Sequence, residues 1–161
     1  MMAEGNRGFK FRLQNILDVK RKQEESAKEK FALALAEKHL KEEKFEAIER
    51  EREGARKGMI REIENGSTML GLTIPYLWTL RLVEEGKRAK MEAMKAAQEV
   101  ERRKDEFLSI SKEVDLLESL RQKHLESYIE EDRRDGIKIL DDIASTRFRR
   151  REGSDEGDKL D

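Results

Sequence analysis

Apolar residues return at alternating steps of three and four along two long charged stretches of this chain, separated by one charge-free segment that holds its only proline. In the first stretch the stripe runs through Leu13, Leu17, Lys20, Glu24, Ala27, Phe31, Ala34, Lys38, Lys41, Phe45, Ile48, Arg52, Ala55 and Met59. A mean step of about 3.5 keeps one face toward a partner helix and implies a left-handed supercoil. Lysine, glutamate and arginine interrupt the stripe, so the seam is imperfect. The second stretch carries Tyr76, Leu80, Val83, Met94, Ala97 and Val100, then Phe107, Ile110, Val114, Leu117, Leu125 and Tyr128, then Ile137, Leu140 and Ile143.

Between the stretches, Asn65 and Gly66 form a helix stop, while Thr73 and Pro75 form a start, because proline's missing N–H costs nothing in a first turn. A short connection makes antiparallel neighbours. The pattern therefore predicts an all-α fold, an antiparallel two-helix coiled-coil hairpin with an overhanging C-terminal helix, as a single domain. Its expected parts are a flexible N-terminus over 1–8, helices over 9–64 and 74–150, a turn over 65–73 and a disordered acidic tail over 151–161. With the fold-back near residue 70, facing positions sum to roughly 140. Lys38 and Lys41 are then expected near Glu101 and Glu99, Gly54 opposite Gly86, and Phe9 near position 131. Residues beyond that point overhang the first helix.

Composition agrees with helices and removes several function classes. Of 161 residues, 44% are charged and 36% hydrophobic, a coiled-coil balance. The 35 basic and 36 acidic side chains are interspersed and leave a net charge of -1, so no global field draws nucleic acid or anionic lipid. There is no cysteine to build a disulfide or thiolate metal site, and the expected compartment is a reducing cytoplasm. The charge-free run from Asn65 to Leu80 is shorter than the ~20 residues of a membrane span.

Candidate chemistry is sparse. His39 and His124 fall at separate levels of the hairpin and share no metal. Gly86-Lys87-Arg88 lacks the glycine spacing and hydroxyl residue of a phosphate loop. Asn65-Gly66-Ser67 matches a glycosylation sequon but reads as a helix stop. Two helices offer no concave site, so the reading is non-enzymatic and without a cofactor or metal. What remains is contact surface: an apolar tip with Leu70, Leu72, Ile74, Tyr76, Leu77, Trp78 and Leu80, and basic clusters at Arg12 to Lys22 and Arg147 to Arg151. From these features alone, a holding chaperone or adaptor gripping clients with its tip is one reading.

Certain segments resemble a known family. Phe11-Arg-Leu13-Gln-Asn-Ile16-Leu17 with Arg21, Glu24, Glu25 and Ala27 is similar to the opening of the flagellar export protein FliJ family. Tyr76-Leu77-x-x-Leu80 resembles the start of that family's second helix, and Leu140-Asp141-Asp142-Ile143-Ala144-x-x-Arg147 its C-terminal signature. The resemblance implies a hairpin like the central stalk of rotary ATPases, cytoplasmic and peripheral to the inner membrane at the flagellar base. Its implied partners are the hexameric flagellar export ATPase, the export-gate membrane protein and export chaperones, with no nucleic acid and no direct membrane insertion. On this chain it assigns ring contact to Arg12, Leu13, Leu17, Arg21, Ile143 and Arg147, and gate or tip contact to Tyr76, Leu77 and Leu80. Trp78 stands within that last segment and departs from the family pattern.

Overall fold

The computed structural model describes residues 8–155, with side chains through residue 150. It contains two long helices packed against each other, α1 (Gln14–Glu64) and α2 (Met69–Asp155), with no strand among the described residues. The fold is an all-α helical hairpin. The loose N-terminus expected over 1–8 lies outside the described residues except for Gly8. The tail expected from residue 151 does so too, except that the helical backbone continues to Asp155. Packing divides the chain into two units, Lys20–Glu113 and the pair Met1–Val19 with Val114–Asp161.

The unit Lys20–Glu113 contains the reversal. Gly66 has φ 82° and ends α1 in a Schellman motif: the Gly66 N–H donates to the Ile63 carbonyl at 3.0 Å and the Ser67 N–H to the Glu62 carbonyl at 3.0 Å. The apolar contact that often accompanies this motif is replaced by a polar one, with the Ser67 hydroxyl donating to Glu62 Oε2 at 2.7 Å. Only glycine takes this left-handed conformation without crowding its β-carbon, so Gly66→Ala is expected to cost about 1–2 kcal/mol. Thermal unfolding followed by circular dichroism measures it, and an unchanged midpoint would contradict the motif's role.

α2 starts at Met69, earlier than the Thr73 and Pro75 start expected from sequence, because Thr68 caps it. The Thr68 Oγ1 accepts the Gly71 N–H at 3.3 Å and its carbonyl accepts the Leu72 N–H at 3.2 Å. Pro75 thus lies inside the helix, where it supplies no N–H to the Gly71 carbonyl. Nearby hydroxyls add bonds of their own, Thr73 Oγ1 to the Met69 carbonyl at 3.2 Å and Thr79 Oγ1 to the Pro75 carbonyl at 2.9 Å.

Within this unit every α1 seam position expected from Lys20 to Met59 is buried or half-buried. On α2 the packed stripe is Pro75, Thr79, Leu82, Gly86, Ala89, Ala93, Ala96, Val100, Arg103, Phe107 and Ile110. Tyr76, Leu80 and Met94, expected in the seam, are exposed, and Leu82 at 1% exposure is the most enclosed large side chain of the unit. The earlier turn shifts the facing register as well. Lys41 Nζ meets Glu92 at 2.9 Å and Phe31 stacks on Phe107 at 6.4 Å, partners whose numbers sum to 133 and 138 rather than 140. Lys38 instead pairs along its own helix with Glu42, and Lys20 meets Glu113 across the seam. A β-carbon at Gly86 would lie 3.1 Å from Glu49 Oε1 and 3.7 Å from Ile48 Cγ2, so Gly86 sits where α1 side chains press close, whereas Gly54 faces open space.

Most other ion pairs run along single helices. The Glu99 carboxyl is held at about 2, chiefly by its hydrogen bond from Arg102, with desolvation opposing and Arg103 adding a second bond. Lys41 is raised and Glu92 lowered, each mainly by the hydrogen bond between them. A carboxyl depressed on folding stabilises above its ordinary range and loses that contribution as pH falls toward the folded value. Helicity is therefore expected to hold from neutrality down to about 4.5 and to decline between there and about 2. Glu99→Gln should flatten the lower part of that acid titration, read by circular dichroism.

In the unit formed by Met1–Val19 and Val114–Asp161, the core cluster is Phe11, Leu17 and Val114, with Phe9, Leu13 and Leu117 packed against it. Helix α1 begins at Gln14, not at Phe9. Phe9 and Phe11 precede a turn at Arg12 and Leu13, closed by the Gln14 N–H donating to the Phe11 carbonyl at 3.1 Å, and Phe9, Phe11 and Leu13 are buried or half-buried while Lys10 and Arg12 are exposed. Phe9 lies against Tyr128 with ring centroids 5.7 Å apart, where position 131 was expected, and Phe11 meets the edge of His124 at 5.8 Å. Beyond this cluster, residues 131–150 of α2 are all exposed.

Candidate contact surfaces

The described residues offer two surfaces for partners. The first is the bare end of α2. From Tyr128, steps of seven continue the packed stripe through Asp135, Asp142 and Arg149, so the face that α1 would have covered turns polar. The apolar residues Ile137, Leu140 and Ala144 lie elsewhere on the helix; at 100° per residue Leu140 sits roughly 120° round from Tyr128. Arg133 and Arg147 bracket them in the same stripe, with Ile143 alongside. This end of α2 carries its own amphipathic stripe, distinct from the seam.

The second surface is the start of α2. Leu70, Ile74, Leu77 and Leu80 are all exposed along this start, at 85%, 79%, 57% and 44%. Tyr76 and Trp78 stand to either side of Leu77. Trp78 lines a groove with Ala55, Gly58, Met59 and Ile74, and the Arg81 guanidinium lies 5.7 Å from its ring centroid. A helix start that is apolar on every side calls for cover from more than α1.

The structure sorts the sequence-assigned residues. Leu17 is fully enclosed and Leu13 half-buried in the core cluster, so neither presents a side chain to a partner as placed. Arg12 and Arg21 are exposed. Ile143 and Arg147 are neighbours one turn apart on the bare end of α2, beside Asp142, Thr146 and Arg150. Tyr76, Leu77, Trp78 and Leu80 are all exposed. The sequence pattern runs the second stretch's apolar residues on through Ile137, Leu140 and Ile143 into the overhang without Arg133; the signal for their separate stripe is the polar character of Asp135 and Asp142, seven and fourteen residues past Tyr128.

No group of three or more His, Cys, Asp or Glu able to hold a metal occurs among the described residues, and no described helix is long and apolar enough to cross a membrane. The architecture defines a class, the helical coiled-coil hairpins. Residues 9–153 match the family model described as flagellar FliJ protein, nine-tenths of the chain, and the chain belongs to that family. No match occurs among curated proteins or solved structures. Membership gives it a role in flagellar protein export, in a family of non-catalytic export components.

Proposed function

We propose that this protein is the stalk of the flagellar type III export ATPase: it sits inside the hexameric ring and couples it to the export gate, and it also escorts export chaperones. The observation that carries this reading is the end of α2 beyond its α1 partner, where Ile143, Arg147 and the rest of the stripe are held on a rigid helix with nothing covering them. A ring that closes around such a helix is gripped by scattered charge pairs, each worth about 0–1 kcal/mol when exposed. Contacts that weak permit repeated engagement. Arg12 and Arg21 extend the ring-facing set, while Leu13 and Leu17 support it from the core. The tip residues Tyr76, Leu77, Trp78 and Leu80 face the gate, at the inner membrane but on its cytoplasmic side.

The exposed tip also favours a second reading, a holding chaperone or adaptor that grips clients there. Mixing the protein with the export ATPase separates the two. A stalk raises hydrolysis and ring formation, and Arg21→Glu with Arg147→Glu removes most of the rise. No rise in either property, or a rise indifferent to the reversals, would falsify the stalk reading.

A further inference from the structure

We infer that the bare end of α2 docks on a second copy of this chain, along the outer face of its α1. The stripe on α2 is Arg133, Ile137, Leu140, Ala144 and Arg147, all exposed. On α1 a stripe of the same 4-3-4-3 spacing runs through Glu29, Leu33, Ala36, Leu40 and Glu43, on the side opposite the seam and also exposed, with Leu33 at 71% and Leu40 at 65%. Laid parallel, the two form five layers. Arginine meets glutamate at each end (Arg133 with Glu29, Arg147 with Glu43), and the inner layers are apolar, with Leu140 on Ala36 and Ala144 on Leu40.

Charge selects this partner over the symmetric one. Two α2 ends paired antiparallel bring Arg133 against Arg147, and paired in parallel they bring each arginine against its own copy. Two α1 stripes set glutamates together in the same ways. Arg133 already forms a bidentate pair with Glu130 of its own helix, so Arg147 is the deciding charge: only the unlike pair sets it against a glutamate, and like charges at such positions oppose pairing. The contact is heterologous, so each copy offers one donor and one acceptor face and association runs head to tail. Five layers are fewer than the ~1,200 Å² of a stable specific interface requires, so the contact is a weak, transient one. Screening of the end layers weakens it as salt rises. This inference goes beyond the stalk reading and requires no ATPase for its test.

The chain has no cysteine of its own, which makes disulfide trapping clean. Full-length Ala36→Cys and Leu140→Cys variants are mixed and oxidised at low salt. The mixed dimer should form well above either variant alone and above a mixture of Ala36→Cys with Ser145→Cys, which lies off the stripe. Adding Arg147→Glu to the Leu140→Cys chain should cut trapping several-fold, and Glu43→Arg on the Ala36→Cys chain should restore it. That rescue acts only between chains, so altered helix stability within one cannot mimic it. Equal trapping by the Ser145→Cys control, dominant self-trapping of either variant, or absence of rescue overturns the proposal.

Discussion

Leu17→Ala is expected to remove about 2–5 kcal/mol from the unit built on Phe11, Leu17 and Val114. Leu17 is 0% exposed, and few other side chains in that unit are enclosed, so the cavity has little around it to absorb the loss. Because the packing divides at residues 19/20 and 113/114, the damage should be local. Amide exchange should accelerate over α1 before Lys20 and over α2 near Val114 to Tyr128, while the neighbourhood of Leu82 stays protected. Leu82→Ala should give the reverse pattern. Leu17→Met keeps most of the volume and should keep most of the protection. Uniform loss of protection along both helices in either alanine variant would show the two units to be one cooperative body.

The second large effect is functional. Deleting residues 132–161 removes a segment whose described side chains bury nothing, so the hairpin should melt within about 2 °C of the full chain. On the stalk reading proposed above, stimulation of the export ATPase should nevertheless fall to the basal rate, because Ile143 and Arg147 are gone. A truncated protein that melts normally and still stimulates fully would move the ring contact elsewhere. One that melts much lower would instead reveal that the segment supports the fold.

Much of this molecule was legible before any coordinates. The α1 seam is readable because its charged interruptions keep step with its apolar residues, so the period survives even where hydrophobicity does not. The start of α2 was harder. Its residues are apolar on every face, and size alone pointed to Tyr76 and Leu80, whereas steps of three and four taken backward from Val100 lead to Leu82, Thr79 and Pro75. Proline misled as well: Pro75 was read as a first-turn residue, yet Thr68 provides a better cap and the helix tolerates the proline one turn further in. That earlier start moved every facing pair by a few residues. Phe9 falls one step of four before Leu13, so the apolar period alone runs the helix back to it, yet the chain turns at Arg12 and Leu13 before α1 begins. For the partner surfaces, resemblance to the family directs attention to Ile143 and Arg147, but that this end of α2 is bare depends on where α1 begins.

The sixteen-residue run from Asn65 to Leu80, without a single Asp, Glu, Lys, Arg or His, has a practical corollary. At molar salt the screening length shrinks to about 3 Å, so any assembly clasped through the arginines of the distal α2 should wash apart. A complex seated on Leu70, Ile74 and Leu77 should survive that rinse and yield only to mild detergent. Two elution steps on one column thus sort the binding companions of this protein by the end they hold.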